Sequence, residues 1–508
     1  MKSVDRKTVL TLLFASATLV CAQTIPPETE FPSRGVLVPL SGRTQAGGVA
    51  TVQTPAAGGG AQSVNTINST IQVQGAYQGS VPSAEAAGPL MQLSLDEALR
   101  RGVQYNLGAI GLQNSVRQAQ GQRRTELSAL LPYAASNLLA SDEQIDLAAL
   151  GFTGFPGIPT VVGPFHYFDL RAGVSQEVLN YTHLRNYRAS QQNLRAAELS
   201  VEDARDLVVL AVTGAYLQVI ASGARVDSAR AQVATAQATF QQAVDRRAAG
   251  VVPRIDVTRS QVELQTQQQR LTSVENDLAK QKINLGRLIG LPPGQEFALS
   301  DSLPYRSAAG FNLESSLANA YANRADLKSA EARVRAAELA RKAVAAEKYP
   351  TVQVSGDYGV IGSSPTSSHG TFNVTGAVRL PLFQGGRVAG ELEQADAALA
   401  QRRAEYQDLR GQIDADVRKA FLDLTSAAAQ VTVAESNRGL AAETLTQASD
   451  RFAAGVTDTI EVVQAQEAVA GAEQDYIAAV FAHNLAKASL ARAMGQAGQN
   501  IRQFLGRP

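Results

Sequence analysis

Two periods of hydrophobic and polar residues divide this chain. In "FDLRAGVSQ", Phe168, Leu170, Ala172 and Val174 alternate with Asp169, Arg171, Gly173 and Ser175. "TVQVSGDYGV" sets Val352, Val354, Tyr358 and Val360 against Gln353, Ser355, Asp357 and Gly359. "TFNVTGAVRL" sets Phe372, Val374, Val378 and Leu380 against Asn373, Thr375 and Arg379. A period of two sends alternate side chains to opposite faces of an extended chain, so these runs predict strands. Elsewhere the period lengthens. Val212, Ala215, Val219, Ser222, Val226, Ala229, Val233, Ala236, Phe240 and Ala243 are spaced alternately three and four apart, within a proline-free run from Phe165 to Val252. That spacing predicts a long helix with a coiled-coil seam, and about 60 residues of such a helix would measure roughly 90 Å.

The helical pattern is written twice. Adding 205 to those positions gives Val417, Ala420, Leu424, Ala427, Val431, Ala434, Arg438, Ala441, Leu445 and Ala448, inside a second proline-free run from Leu382 to Arg507. Only Arg438 breaks the seam. Small residues along it let helix backbones approach closely, and the Ala- and Gln-rich flanks suit helices with neighbours on two sides, as in a helical barrel. The turns that close the long helices match at the same offset: "RRAAGVVPRIDV" begins at Arg246 and "RFAAGVTDTIEV" at Arg451. Gly250 and Gly455 stand where a helix must reverse. Upstream, the segment from Leu93 to Pro132 opens on Ser94 as N-cap with Glu97 completing a capping box. It returns from Asn312 to Pro350, with breaks at Asn106 and Asn323, at an offset of 217 to 218 residues. This is an internal duplication. The first repeat is expected over 91–295, with strands at about 133–178 and long helices at about 183–290. The second is expected over 296–497, with strands at about 351–382 and long helices at about 385–495, leaving 498–508 as a tail.

Lys2, Arg6 and Lys7 precede an apolar stretch from Thr8 to Val20, and Val20-Cys21-Ala22 suits cleavage after Ala22, so residues 1–22 read as a secretory signal peptide. Cys21 is the sole cysteine, and a mature chain cut after Ala22 would have neither disulfide nor thiol. The alternative, a lipidated Cys21, has the bulky Val20 where a small residue is preferred. Residues 23–90, with stretches such as "TVQTPAAGGGAQSVNT", show no apolar period that would bury a face and are expected to form a disordered Pro/Gly/Gln-rich extension. Beyond the leader, no run approaches the roughly 20 apolar residues of a transmembrane helix.

Composition narrows the function. The 46 basic and 46 acidic side chains give a net charge of zero, without the basic stripe that nucleic acid requires. His166, His183, His369 and His483 are scattered, no metal-ligand spacing occurs, and no glycine-rich phosphate loop follows a strand. No catalytic site, metal or cofactor is therefore expected. Each strand has about the nine to eleven residues that cross a bilayer when tilted, with one apolar and one polar face. A half-buried sheet in a soluble domain would give the same alternation in any single strand. In an exported chain whose strands come in pairs between long helices, the membrane reading is the stronger. Two hairpins cannot close a barrel, and lipid does not tolerate open edges, so other copies of the chain would have to complete it.

These pieces together resemble the outer membrane factor family, the TolC-like channels of tripartite efflux pumps and type I secretion. The resemblance covers about Leu93 to Gly495. It rests on "LSLDEAL" with "ALLP", on "RLPLFQGGRVAG" after the fourth strand with its degenerate twin "SQEVLNYTHLRN" after the second, and on the turns "AAGVVPRIDV" and "AAGVTDTIEV". It implies a mainly α fold with a small membrane β-barrel: a TolC-like α/β-barrel of duplicated helix-hairpin-helix halves, four strands per protomer, assembled as a homotrimer. It further implies a passive outer membrane channel with its helices in the periplasm, partnered by a periplasmic adaptor and, through it, an inner membrane transporter.

By the same resemblance, Ala249, Gly250, Val251, Ala454, Gly455 and Val456 would be adaptor-docking turns. Asp256 and Glu461 would face a pore gate, with Thr457 and Asp458 as further gate candidates, and Pro381, Phe383, Gly385 and Gly386 would make the bend from strand to helix. This chain departs from the family pattern at the turn. Thr457 stands where an arginine can close a salt bridge, Phe452 where a tyrosine can hydrogen-bond, and Gln464 in place of a second acid; Arg254 or Asp458 would be the substitutes. A periplasmic coiled-coil adaptor or a trimeric adhesin stalk are the competing readings. An adaptor would show one helical hairpin flanked by compact β domains, whereas this chain has two sets of long helices separated by amphipathic hairpins.

Overall fold

The computed structural model describes residues 48–55, 67–83, 88–151, 159–302, 305–307 and 312–505. The signal-peptide reading, Cys21 included, and the centre of the loop between the first two strands of the sheet lie outside the described residues.

Each repeat opens on a three-residue strand and a broken helix. In the first, β3 (Met91–Leu93) leads into α1 (Leu95–Tyr105) and α2 (Leu107–Ser128); in the second, β6 (Phe297–Leu299) precedes α5 (Leu313–Asn323) and α6 (Ala325–Ala346). β3 and β6 pair in parallel, so the starts of the two repeats are joined. Ser94 caps α1 by accepting from the amide of Glu97 at 3.2 Å, as its spacing predicts. The break itself falls on Asn106 in the first repeat and on Arg324, one residue beyond Asn323, in the second. Asn106 caps α2 through Gly108 N at 2.9 Å and donates to Tyr77 O at 2.8 Å. Arg324 instead sends its buried guanidinium to Asp326 at 2.6 Å and Asp416 at 3.1 Å.

The predicted strands form one antiparallel sheet in the order β4 (Tyr133–Asp146), β5 (Val161–Leu179), β7 (Thr351–Gly362), β8 (His369–Arg379). The register sorts the faces. One face aligns Leu138, Leu170 and Val360, then Ser136, Ala172, Tyr358 and Phe372, then Ala134, Val174, Gly356 and Val374. The other aligns Asn137, Arg171, Gly359 and Thr371, with Asp169 and Asp357 beside them. Arg171 bonds Asp357 at 2.5 Å and Asp169 at 3.3 Å. On the apolar face, Phe372 is 77% and Val374 72% exposed, although both are bulky and hydrophobic. β4 and β8 are the sheet's edges.

The long helices are α3 (Tyr181–Ala248), α4 (Arg254–Leu288), α7 (Arg387–Ala453) and α8 (Thr459–Ala493). α3 has 68 residues and α7 67, so each spans about 100 Å. The predicted seams are the buried faces: Val212, Val219, Val226, Ala229, Ala236 and Ala243 on α3, and Val417, Ala420, Leu424, Val431, Ala434 and Ala448 on α7. α4 packs on α3, α3 on α8 and α8 on α7, with α4 and α7 outermost. Among the described residues, α3 alone is long and apolar enough to cross a bilayer, but its most apolar stretch, Val208 to Val212, is buried against protein.

Two expectations need correction. The extension over 23–90 is not structureless throughout: β1 (Val49–Pro55) and β2 (Ile67–Val73) form an antiparallel hairpin against α3 and α8. Gly214 admits Ile71 so closely that a Cβ there would lie 2.5 Å from Ile71 Cδ1, and Thr51 Oγ1 meets Ser489 Oγ at 3.0 Å. Five-to-seven-residue alternation within a Gly- and Gln-rich stretch is too short to stand out as a period. Likewise, the tail contains α9 (Ala497–Phe504), docked through buried Ala497, Ile501, Phe504 and Leu505 and held by Gly498 N to Asp206 Oδ1 at 2.7 Å.

Candidate functional site at the paired helix turns

α3 and α7 end in the same backbone closure. Val251 N donates to Arg246 O and Gly250 N to Arg247 O, both at 2.9 Å; Val456 N donates to Arg451 O and Gly455 N to Phe452 O, both at 3.0 Å. This six-to-one and four-to-one closure needs a left-handed residue, and Gly250 and Gly455 both take φ +73. The repeated "AAGV" spells that geometry. Beyond the glycines the turns diverge. Pro253 opens α4 without a side-chain cap, whereas Asp458 caps α8 by accepting from Ile460 N at 3.1 Å.

The two turns are tied together by Arg246, which donates to Phe452 O at 2.5 Å and to Ala453 O. Its guanidinium lies 4.6 Å from the centre of the Phe452 ring. Phe452 is buried with Ala448, Val462 and Ala465 in a small core of the second hairpin. A cation placed on the last carbonyls of α7 also meets the negative end of that helix's dipole. This role was not read from the sequence, although the contrast of Arg246-Arg247 with Arg451-Phe452 in otherwise matched turns was the available signal.

The gate candidates separate into two groups. Glu461 pairs with Arg451 at 3.0 Å and accepts from the Thr457 hydroxyl, so acid, base and hydroxyl meet across one turn. Asp256 is only 6% exposed, in the first turn of α4, and pairs with Arg259 at 3.6 Å. Asp458 serves as the cap rather than joining either group. The docking candidates remain open to solvent at their apolar tips: Val251 is 64% and Val456 69% exposed.

At the far end of α7, Gly385 at φ +58 and Gly386 at φ +83 carry the chain from β8 into the helix, with Pro381, Leu382 and Phe383 between. Leu382 and Phe383 are almost fully exposed. Arg387 locks the bend by donating to Glu347 at 2.7 Å and Gln384 at 2.8 Å. The first repeat bends differently, as its lack of Pro and Gly-Gly predicts. β5 runs to Leu179 through a register shift after Glu177, and Asn180, in extended conformation, caps α3 by accepting from His183 N at 3.1 Å.

A duplicated chain whose coiled-coil hairpins are continuous with a small amphipathic sheet has the TolC-like architecture. Solved structures share it: the outer membrane protein VceC of Vibrio cholerae matches at TM-score 0.67 and 20% identity, covering 79% of this chain and 96% of that one. The Campylobacter jejuni CmeC outer membrane channel matches at TM-score 0.69 and 14% identity, covering 85% and 95%. This chain belongs to the outer membrane efflux protein family, whose model matches residues 165–291 and 317–496. It is 24% identical to the pyoverdine export outer membrane protein OpmQ of Pseudomonas aeruginosa, over 81% of this chain and 87% of that one. It is 25% identical to the toluene efflux pump outer membrane protein TtgF of Pseudomonas putida, over 74% and 78%. The sheet accordingly belongs to the outer membrane and the helices to the periplasm.

Proposed function

We propose that three copies of this chain assemble into a passive channel through which an inner membrane pump, coupled by a periplasmic adaptor, moves solutes out of the cell. One observation carries the assembly: both layers end in unfinished edges. Among the described residues, β4 and β8 have no strand partner on their outer sides, and α4 and α7 are the outermost long helices. Those two helices carry exposed apolar stripes whose spacings, seven and twenty-one residues on α4 and eleven and seven on α7, keep them close to one face: Ile255, Val262 and Ile283 on α4 and Leu422, Val433 and Leu440 on α7. Joining α7 of one protomer to α4 of the next covers the stripes while β8 pairs with β4. Lipid makes that closure obligatory for the strands. Family membership supports three copies, hence twelve strands and twelve long helices.

The paired turns are the adaptor-docking end. Val251 and Val456 offer exposed apolar contacts on rigid, identically closed backbones, flanked by Ala249, Gly250, Ala454 and Gly455. The gate is latched within each protomer, Glu461 being held by Arg451 and Thr457, while Asp256 is held by Arg259. Pro381, Phe383, Gly385 and Gly386 set the passage from membrane to periplasm. Light scattering in detergent tests the assembly: the wild type is expected as a trimer, and Val433→Glu with Leu440→Glu as a monomer. A monomeric wild type refutes the proposal. Val251→Asp with Val456→Asp should abolish adaptor capture without altering the trimer.

A further inference from the structure

Arg438, the single break in the seam of α7, lines a cavity of about 450 Å³ among α3, α4, α7 and α8. Ala224, Leu445, Val469 and Ile477 give it apolar walls. The polar wall is made of acceptors. Gln267 and Gln466 are 4% and 7% exposed, and each directs its amide nitrogen to a neighbour, Gln267 to Glu263 Oε1 at 2.7 Å and Gln466 to Thr239 Oγ1 at 2.8 Å. Their Oε1 atoms, with that of Gln232, have no donor among the described residues. Glu263 is 7% exposed and pairs with no cation among the described residues. Arg259, one turn away, pairs with Asp256. Arg438 pairs with Glu473 at 3.8 Å and lies 4.3 Å from the centre of the Tyr476 ring, and Asp227 at the rim pairs with Arg230 at 3.7 Å.

Buried acceptors without donors are costly, and a buried carboxylate without a counter-charge more so. Three such carbonyl oxygens and one such carboxylate around one cavity specify the missing group: a cation bearing several N–H donors. We propose that this cavity binds a small organic cation with an aliphatic stem, of the diamine or triamine class. Its ammonium end faces Glu263 and the amide oxygens of Gln267 and Gln466, and its methylenes lie on the apolar wall. The carboxylates disfavour an anion, and among the described residues no three His, Cys, Asp or Glu side chains converge as a bound metal would need. The cavity is built within one protomer, so the inference stands independently of the assembly proposed above.

Titration calorimetry on the purified full-length protein in detergent tests it, with putrescine and spermidine as probes and 1,4-butanediol and potassium chloride at matched ionic strength as controls. Saturable binding of an amine at one site per chain is expected, with none for the diol or the salt. Glu263→Gln and, separately, Gln466→Leu should each weaken it about tenfold or more. The amine should raise the thermal midpoint of the wild type and leave that of Glu263→Gln unmoved. Glu331→Gln with Glu405→Gln, which removes two exposed acids of α6 and α7 outside the cavity lining, should bind as the wild type does. The proposal is overturned by absent or non-saturable heat, by equal binding of the diol, by undiminished binding in both Glu263→Gln and Gln466→Leu, or by loss of binding in the Glu331/Glu405 variant.

Discussion

Among the described residues, Arg246 is the only side chain that bonds one helix turn to the other through backbone carbonyls, which makes its replacement by alanine a sharp test of how the turns are held. The substitution removes two charge-assisted hydrogen bonds to Phe452 O and Ala453 O and a cation stacked 4.6 Å over a buried ring. A well-shielded charged hydrogen bond contributes about 1.5 to 3 kcal/mol. Partial exposure here reduces the pair to roughly 1 kcal/mol, by the same screening that weakens surface ion pairs. The stacked ring adds about 0.5 to 1 kcal/mol, and loss of positive charge at a helix C-terminus about 0.3 more. The sum is about 2 kcal/mol, or about thirtyfold in a local opening equilibrium. Native-state hydrogen exchange read by mass spectrometry on residues 449–458 should show that acceleration, with the upper part of α7 unchanged because its seam is untouched. Arg246→Lys should fall between, since an ammonium reaches one carbonyl but does not stack as a plane. Unchanged exchange at the second turn in Arg246→Ala, or equal acceleration along all of α7, would refute the reasoning.

Gly250→Ala and Gly455→Ala should each destabilise their turn by about 1 to 2 kcal/mol, the penalty of a left-handed alanine. The two should be equal in hydrogen exchange, because an added Cβ meets nothing within 4 Å at either place. Val374→Arg puts a charge on the apolar face of β8 and should cost about 2 to 4 kcal/mol in refolding into lipid vesicles, whereas Asn373→Arg, on the polar face, should cost far less. A reversed ranking would invert the assignment of the faces. Burial and the neighbouring Arg306 bring the Lys487 ammonium down to about 8, below its unfolded value of about 10.4. The folded state therefore penalises the cation fully below pH 8 and progressively less above it, so thermal stability should rise between pH 8 and about 10.4. Lys487→Met should flatten that rise, and its persistence in the variant would assign it to another group.

Much of this molecule is legible in one dimension. The two seams, the paired strands, the duplicated turns and the two glycines that close them were all readable, because helix, strand and turn geometry each impose a spacing on neighbouring residues. The positions of the candidate acids were readable as well, but the partner of Glu461 was not. Arg451 lies ten residues before Glu461, and Arg246 more than two hundred before the carbonyls of Phe452 and Ala453, so neither pairing leaves a local pattern. The hairpin of β1 and β2 was hidden for a related reason: its short alternation becomes meaningful only against Gly214 and Ser489.

The sequence by itself determined the long helices, where each of them turns back, and the apolar face of β5, β7 and β8, because those properties follow from periodicity and from what glycine and proline permit. Only the tertiary structure decided that β5 pairs with β7, that α3 lies beside α8, that Asp256 is buried, and that Arg438 opens a cavity ringed by unpaired acceptors. Those outcomes depend on which distant surfaces meet, and burial, ion pairing and unsatisfied hydrogen bonds exist only once they have met.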